Sequence, residues 1–260
     1  MNTNRTYKLI TIVITLCLLW ACSRSTEEET PAKKDPVSPQ LLADSDKLFD
    51  QRQELANLRE AVANMNRARR ENAKSFDVES RLARYNYYLG RHSEDEKERE
   101  KAFEDGKAAG KSASKMEPNK PDGYFWFGAN LGEQSNRNPL AIGVRSIDEI
   151  REAMNKVIEI DPGFQGASAY DILAQVELST RTLFGGKAEK AVEYLEKAIS
   201  IEKNNTYLYL HLAQAYIAVK QPEKAREQLN HVLTMKPDPD YLPEHKTAVE
   251  EAKKMLATKF

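Results

Sequence analysis

The chain has 260 residues, of which 39 are basic and 40 acidic, and its formal net charge is −1. This even balance argues against nucleic acid as a partner, because nucleic acid is bound by a concentrated basic face. The chain has two cysteines, Cys17 and Cys22. Because Cys17 falls in the leader described next, we expect neither an internal disulfide nor a cysteine-based zinc site.

Residues 1–21 have the organisation of a lipoprotein signal peptide. Arg5 and Lys8 precede an apolar run over residues 9–20, which is shorter than the roughly 20 residues of a membrane-spanning helix. The run ends in Leu-Trp-Ala-Cys, which resembles the bacterial lipobox, although its tryptophan is bulkier than the usual residue there. We therefore expect Cys22 to be the lipidated first residue of the mature protein. An ordinary secreted protein and a retained membrane anchor are the alternatives.

Residues 22–39 are predicted to form a flexible tether. They are rich in Ser, Thr, Glu, Lys and Pro and show no apolar periodicity, so they cannot bury enough surface to order themselves. Ser23 follows Cys22 where an aspartate would favour the inner membrane in enterobacterial sorting. We expect a protein held in the bacterial cell envelope by its lipid, facing the periplasm, with the outer membrane favoured.

Residues 40–260 are predicted to form one domain of tetratricopeptide repeats. Apolar residues recur at spacings of three and four. Three similar six-residue segments end in proline, at Pro118, Pro162 and Pro237. The clearest repeat covers residues 206–239, close to the 34-residue period of this motif. Its predicted core positions are Tyr209, Leu212, Ala213 and Tyr216 on a first helix and Ala225, Leu229, Val232 and Leu233 on a second.

Weaker copies of the same template precede this repeat. We predict an all-α solenoid of about five helix pairs. Two loops are expected to be lengthened, one over residues 132–143 and one around residues 182–186. A last amphipathic helix, residues 244–256, is expected to cap the open end, since each repeat buries its face only against a neighbour.

No catalytic constellation stands out in the sequence. The four histidines, His92, His211, His231 and His245, lack partners at the spacing of motifs such as HExxH. Residues 185–187, Gly-Gly-Lys, contain too few glycines to cradle a phosphate. We therefore expect no enzyme, no cofactor and no metal site.

Four consecutive aromatic residues, 124–127, begin one predicted helix. They point in all directions around the axis, which fits either tight helix packing or the aromatic wall of a binding groove, with Phe125 facing the concave side. Gly128 and Gly132 would let a helix or ligand approach closely. The candidate groove, which suits a peptide, a partner protein or an apolar ligand better than an anion, consists of Tyr124, Phe125, Trp126, Ala129, Gln175, Leu178, Leu210, Gln214 and Ile217.

Several segments resemble one particular family. They are Arg81-Leu-Ala-Arg84 with Tyr87-Tyr-Leu-Gly90, Gly123-Tyr-Phe-Trp-Phe-Gly-Ala-Asn-Leu-Gly132, Ile147-Asp-Glu-Ile-Arg-Glu-Ala-Met154, Asp161-Pro-Gly-Phe164 and Leu183-Phe-Gly-Gly-Lys-Ala188. From about residue 43 to 256 the chain resembles the T component associated with tripartite ATP-independent periplasmic (TRAP) transporters, a family of tetratricopeptide lipoproteins. It departs from the family pattern at Ala167-Ser168 and Tyr170-Asp171, where a glycine pair and an arginine are expected.

The resemblance implies a non-enzymatic accessory protein. Such a protein would associate with a soluble periplasmic solute-binding protein and with hydrophobic ligands, and it would be able to form homo-oligomers through its helical surface. A general scaffold for cell-envelope assembly, using the same fold with another partner, remains the alternative. An envelope hydrolase is a third hypothesis, which would need clustered polar catalytic groups.

Overall fold

The computed structural model describes residues 34–137, 139–182, 184–239 and 242–260. Within these ranges the chain forms eleven α-helices and no β-strand. The predicted leader and Cys22 lie outside the described residues. The helices are α1 (Pro39–Asp50), α2 (Leu55–Glu71), α3 (Phe76–His92), α4 (Glu96–Met116), α5 (Pro121–Arg137), α6 (Pro139–Ile160), α7 (Phe164–Thr180), α8 (Ala188–Ile201), α9 (Thr206–Ala218), α10 (Pro222–Thr234) and α11 (Leu242–Lys259).

Each helix packs against the next one in the chain, from α1 to α11. Contacts between first helices of successive pairs, such as α3 with α5 and α5 with α7, stack the pairs side by side. The helix α11 packs on α9 and α10 and so covers the last pair. The prediction of five helix pairs with a C-terminal cap is confirmed. No helix among the described residues is both long and apolar enough to cross a bilayer.

The clearest repeat folds as its periodicity predicts, with one exception. All four predicted core residues of α9 are buried, as are Ala225, Leu229 and Val232 of α10. Leu233, however, is 38% exposed, so its assignment to the core is wrong. Successive residues lie about 100° apart around a helix, and because Val232 points into the core, its neighbour Leu233 turns towards solvent.

One of the two predicted long loops is absent. The helix α5 continues to Arg137, and α6 already begins at Pro139, so most of the expected loop over residues 132–143 is helical. Proline is well tolerated at the first position of a helix, where its missing N–H has no partner to lose. The loop around residues 182–186 is confirmed, since α7 ends at Thr180 and α8 starts at Ala188.

The apolar core forms two clusters that meet at α7. The first cluster runs from α1 to α7 and includes Ala169 and Leu173, whereas the second runs from α7 to α11 and includes Ala167 and Ala174. Val37, in the predicted tether just before α1, is also buried in the first cluster. The core is therefore extended along the stack, as expected when each repeat packs on its neighbours.

The helices α4 and α5 approach each other so closely that glycine is required. A methyl group added at Gly123 would collide with the backbone of Ser114, and one added at Gly110 would lie 2.6 Å from the Phe127 nitrogen. Gly128 is met by the flexible end of Met154, while Gly132 has open space around it. The close approach that the sequence suggested for Gly128 is therefore present, but none occurs at Gly132.

Candidate ligand-binding cavity

A cavity of about 300 Å³ lies where α3, α5, α7, α9 and α11 converge. Four of these are the first helices of consecutive pairs, and α11 is the C-terminal cap. The cavity therefore lies on the side of the stack that the first helices share. Its volume suits a small organic molecule, at the lower end of the usual range of ligand pockets.

Aromatic rings form one wall of this cavity. The ring of Trp126 lies 5.4 Å from that of Tyr87, 6.1 Å from that of Tyr88 and 4.9 Å, edge to face, from that of Phe125. Phe125 and Trp126 are only 5% and 3% exposed. The same two rings thus pack between helices and line the cavity, and their role as the wall of a binding site stays a prediction.

A charged pair faces the cavity from α7 and α9. Asp171 Oδ1 and His211 Nδ1 are 2.7 Å apart, with side chains 13% and 18% exposed. Burial opposes protonation of His211, but the charge and hydrogen bond of Asp171 outweigh it and raise the His211 pKa. Tyr207 lies one turn before His211 and places its ring 5.4 Å from the imidazole. The sequence shows no partner for His211 at motif spacing, and in the structure its partner Asp171 lies 40 positions away in the chain.

Among the residues that the structure describes, no hydrogen bond joins His211 of the Asp171–His211 pair to a hydroxyl or thiol nucleophile. A catalytic triad needs a nucleophile hydrogen-bonded to the histidine. The nearby Ser168 hydroxyl instead donates to the Gln165 carbonyl at 2.6 Å. Among the described residues, no group of three His, Cys, Asp or Glu side chains could hold a metal ion.

Arg91 brings a positive charge to the same cavity from α3. Its Nη1 donates to the Tyr87 hydroxyl at 3.2 Å and to Glu133 Oε1 at 3.3 Å. The interaction with Tyr87 is the largest cause that raises the Arg91 pKa. Burial lowers this pKa, but the charge of Glu133 raises it again, so the side chain remains a cation. Burial is the main cause that raises the pKa values of the three tyrosines on the lining, Tyr87, Tyr88 and Tyr207, which keep their protons.

The two ends of the solenoid meet at the cavity. Arg52, between α1 and α2, places Nη2 3.5 Å from both carboxylate oxygens of Glu244 on α11. The Arg52 guanidinium also lies over the rings of Phe49 and Tyr88, 5.2 and 5.3 Å from their centroids. Since Tyr88 and Glu244 both line the cavity, this contact closes one side of it.

A left-handed turn at the start of α7 shapes another part of the lining. Gln165, Gly166 and Ala167 have φ values of 50°, 62° and 59°. Such values are uncommon for residues with a side chain and carry a conformational cost. Asn205 holds the turn by donating from Nδ2 to the Gly166 carbonyl at 2.9 Å. Consequently Gln165 and Asn205 both reach the cavity.

The structure divides the predicted groove residues into two sets. Phe125, Trp126 and Ala129 line the cavity, whereas the other six do not. Leu210 is fully buried in the second core cluster, and Tyr124, Leu178 and Ile217 are partly buried against the core. The remaining two, Gln175 and Gln214, are partly buried. A binding role for any of the nine stays a prediction.

On α7 and α9, helix geometry explains why the predicted groove residues do not line the cavity. Gln175 follows Ser168 by seven residues, and Gln214 follows Tyr207 by seven, which is about two helical turns. Residues seven apart share a face, so Gln175 and Gln214 lie on the same helical faces as the lining residues Ser168 and Tyr207. The cavity, however, is lined by the N-terminal part of each face.

The charged lining is what the sequence analysis missed. It predicted a mixture of apolar and neutral polar residues, whereas Arg91, Asp171, His211 and the two glutamates of α11, Glu244 and Glu251, all reach the cavity. These residues come from four helices widely separated in the chain. A partial signal was present in the pairs Tyr87/Arg91 and Tyr207/His211, since residues four apart lie on the same helical face.

Comparison with known proteins gives one family match. The sequence model of the family described as TRAP transporter T-component matches residues 46–259. No protein in the curated set matches the chain.

Several solved structures resemble this one, among them TTC0263, PilF and MamA. TTC0263, a thermophilic TPR protein in Thermus thermophilus, has a TM-score of 0.60 at 17% identity, and the match covers 81% of this chain and 97% of that one. PilF of Pseudomonas aeruginosa has a TM-score of 0.52 at 15% identity, covering 83% and 93%. MamA has a TM-score of 0.50 at 16% identity, covering 81% and 96%. At these identities the likeness shows the fold alone, a tetratricopeptide helical repeat.

Proposed function

Because the chain belongs to the family of TRAP transporter T-components, we propose that it docks the periplasmic solute-binding protein of such a transporter. In this proposal it also receives the carried ligand in its cavity. The family and the fold make the protein a helical-repeat accessory of a TRAP transport system. The lipid anchor at Cys22, the periplasmic orientation and the absence of turnover are further parts of the proposal.

The observation that supports a ligand role best is the composition of the cavity wall. Five helices contribute to it, and it combines buried rings with hydrogen-bonding and ionised side chains. Ligand sites typically have this composition, with apolar walls for binding and a few polar groups for orientation. Phe125, Trp126 and Ala129 would contact an apolar part of the ligand, and the groups near Asp171 its polar part.

Docking can be tested with the protein immobilised through its C-terminal end. After incubation with a soluble envelope extract of the same cells, we expect a solute-binding protein to be retained and identified by mass spectrometry. An unrelated tetratricopeptide protein on the same support is the control. Retention of only envelope-assembly proteins would reject docking and favour the alternative scaffold function.

The lipid anchor can be tested by exchanging each cysteine in turn. Cys22→Ala should leave the protein unprocessed or release it from membranes, since stable anchoring by acylation needs more than one chain. Cys17→Ala, within the predicted leader, is the matched control and should leave processing and membrane retention unchanged. Normal processing and retention of the Cys22→Ala protein would contradict lipidation.

A further inference from the structure

We propose that the cavity selects a small organic cation, an amine or methylated ammonium group held between aromatic rings and a carboxylate. This inference rests on the proposed ligand role of the cavity and adds a chemical class to it. It draws on the ring cluster, on two protein cations already in contact with that cluster, and on the charge of the lining.

Five aromatic side chains line the cavity, namely Tyr87, Tyr88, Phe125, Trp126 and Tyr207. The face of an aromatic ring carries negative electrostatic potential, so rings attract cations, and tryptophan does so most strongly. The Tyr87–Tyr88 and Tyr87–Trp126 centroid distances are both 5.4 Å. A cation near this cluster can therefore interact with several rings at once.

The protein already uses these rings to hold its own cations. Arg52 lies 5.3 Å from the centroid of Tyr88, and Arg91 lies 5.9 Å from that of Tyr87. Arg52 also pairs with Glu244. The Tyr88 ring and the Glu244 carboxylate thus both contact the positive group of Arg52 at the edge of the cavity. A bound ammonium group would repeat that arrangement inside the cavity.

The charges on the lining favour a cation over an anion. The lining carries three carboxylates, from Asp171, Glu244 and Glu251, against the Arg91 guanidinium and the His211 imidazole, whose pKa is raised. Asp171 is paired with His211 and Glu244 with Arg52. Within the described ranges, no hydrogen bond or ion pair involves the Glu251 carboxylate.

The charge of Glu251 nevertheless acts on other groups of the lining, since it helps to raise the pKa values of Tyr207 and His211 on α9. An anionic ligand would face this charge, and Arg91 already donates to Tyr87 and Glu133. A ligand with one positive charge would instead neutralise Glu251. The neutral side chain of Gln165 on the same lining would then meet a hydroxyl or amide on the same molecule, whereas Ser168 and Asn205 are already hydrogen-bonded to the protein.

Calorimetry on the full-length protein can test the charge requirement with three probes. Choline carries the methylated ammonium, 3,3-dimethylbutan-1-ol has the same shape without the charge, and succinate is an anion. We expect choline to bind at least about tenfold more tightly than the neutral alcohol, as one good cation–π and carboxylate contact would give. Succinate should not bind.

Variants of two adjacent glutamates test the role of the carboxylate. Glu251→Gln should weaken choline binding about tenfold, whereas Glu250→Gln, equally exposed but outside the lining, should leave it unchanged. Both residues are on the surface of α11, so the fold should tolerate either change.

Equal binding of choline and the alcohol, tighter binding of succinate, or no binding of choline at millimolar concentration would each overturn the cation proposal. Equal binding of the two isosteres would still leave the cavity as a ligand site. Docking of a solute-binding protein is measured separately, by its retention on the immobilised chain, so the two proposals can fail independently.

Discussion

The hydrogen bond between Asp171 and His211 couples the stability of the fold to pH. Because the His211 pKa is raised in the folded state, the folded protein holds this proton more tightly than the unfolded chain does. The contribution is fully present below the ordinary imidazole pKa of about 6.5. It is lost as the pH rises through the raised value.

We therefore expect the pair to stabilise the protein more at pH 6 than at pH 9. Urea unfolding of the wild type and of Asp171→Asn at both pH values measures the difference, which should be lost or reversed in the variant, because burial without Asp171 lowers the His211 pKa. His231→Gln, an exposed histidine on α10, is the control and should keep it. An Asp171→Asn protein with an unchanged pH dependence would contradict the argument.

The contact between α4 and α5 depends on a glycine at its closest point. Gly123→Ala would force the added methyl group against the Ser114 backbone, which cannot move without separating the two helices. We expect a loss of about 2–4 kcal/mol in unfolding free energy, comparable to severe overpacking.

Gly132→Ala is the matched control on the same helix, because nothing lies within 4 Å of its added methyl group. Alanine has the higher helix propensity, so this change should stabilise the protein by about 0.5 kcal/mol. Thermal unfolding monitored by circular dichroism distinguishes the two outcomes. Similar melting temperatures for both variants would show that α4 and α5 can move apart at little cost.

Helices with a regular apolar stripe were predictable from the sequence, and interruptions of that pattern were not. The stripe of α9, from Tyr209 to Tyr216, alone identifies its buried face. Gly132 and Pro139 looked like loop residues, yet they lie within α5 and at the first position of α6. The left-handed turn before Ser168 depends on a hydrogen bond from Asn205, which lies in another repeat and leaves no local sequence pattern.

The candidate site was only partly predictable for the same physical reason. Phe125 and Trp126 were found because aromatic residues cluster within one helix. Asp171 and His211 form their pair across 40 positions of sequence, and neither belongs to a local motif. Periodicity identifies which face of a helix is buried, but the convergence of charged groups depends on how far the whole stack curves.

The contact between Arg52 and Glu244 links the first repeat of the molecule to its last helix. An ordinary solenoid frays from its ends, because each repeat contacts only its neighbours. Here the cap is held from both sides, by α9 and α10 and by Arg52. The end helix α11 should therefore be protected better than a terminal helix usually is.

Arg52→Ala should weaken this protection by about 1 kcal/mol, the size of a partly exposed ion pair. Amide hydrogen exchange in α11 should then be about fivefold faster, while exchange in α5 stays the same. Arg67→Ala, an exposed arginine of α2, serves as the control. Uniform acceleration over the whole chain would indicate general destabilisation and contradict a specific link.

The position of α11 in the chain determines when the cavity is completed during biosynthesis. Its walls extend from Tyr87 to Glu251, so a chain emerging from the ribosome or a translocation channel lacks the final wall until α11 has been released. Early repeats can pair with their neighbours as they emerge, because those contacts are local. Premature termination before α11 would consequently give a fragment that retains much of its helical structure but has lost one side of the cavity.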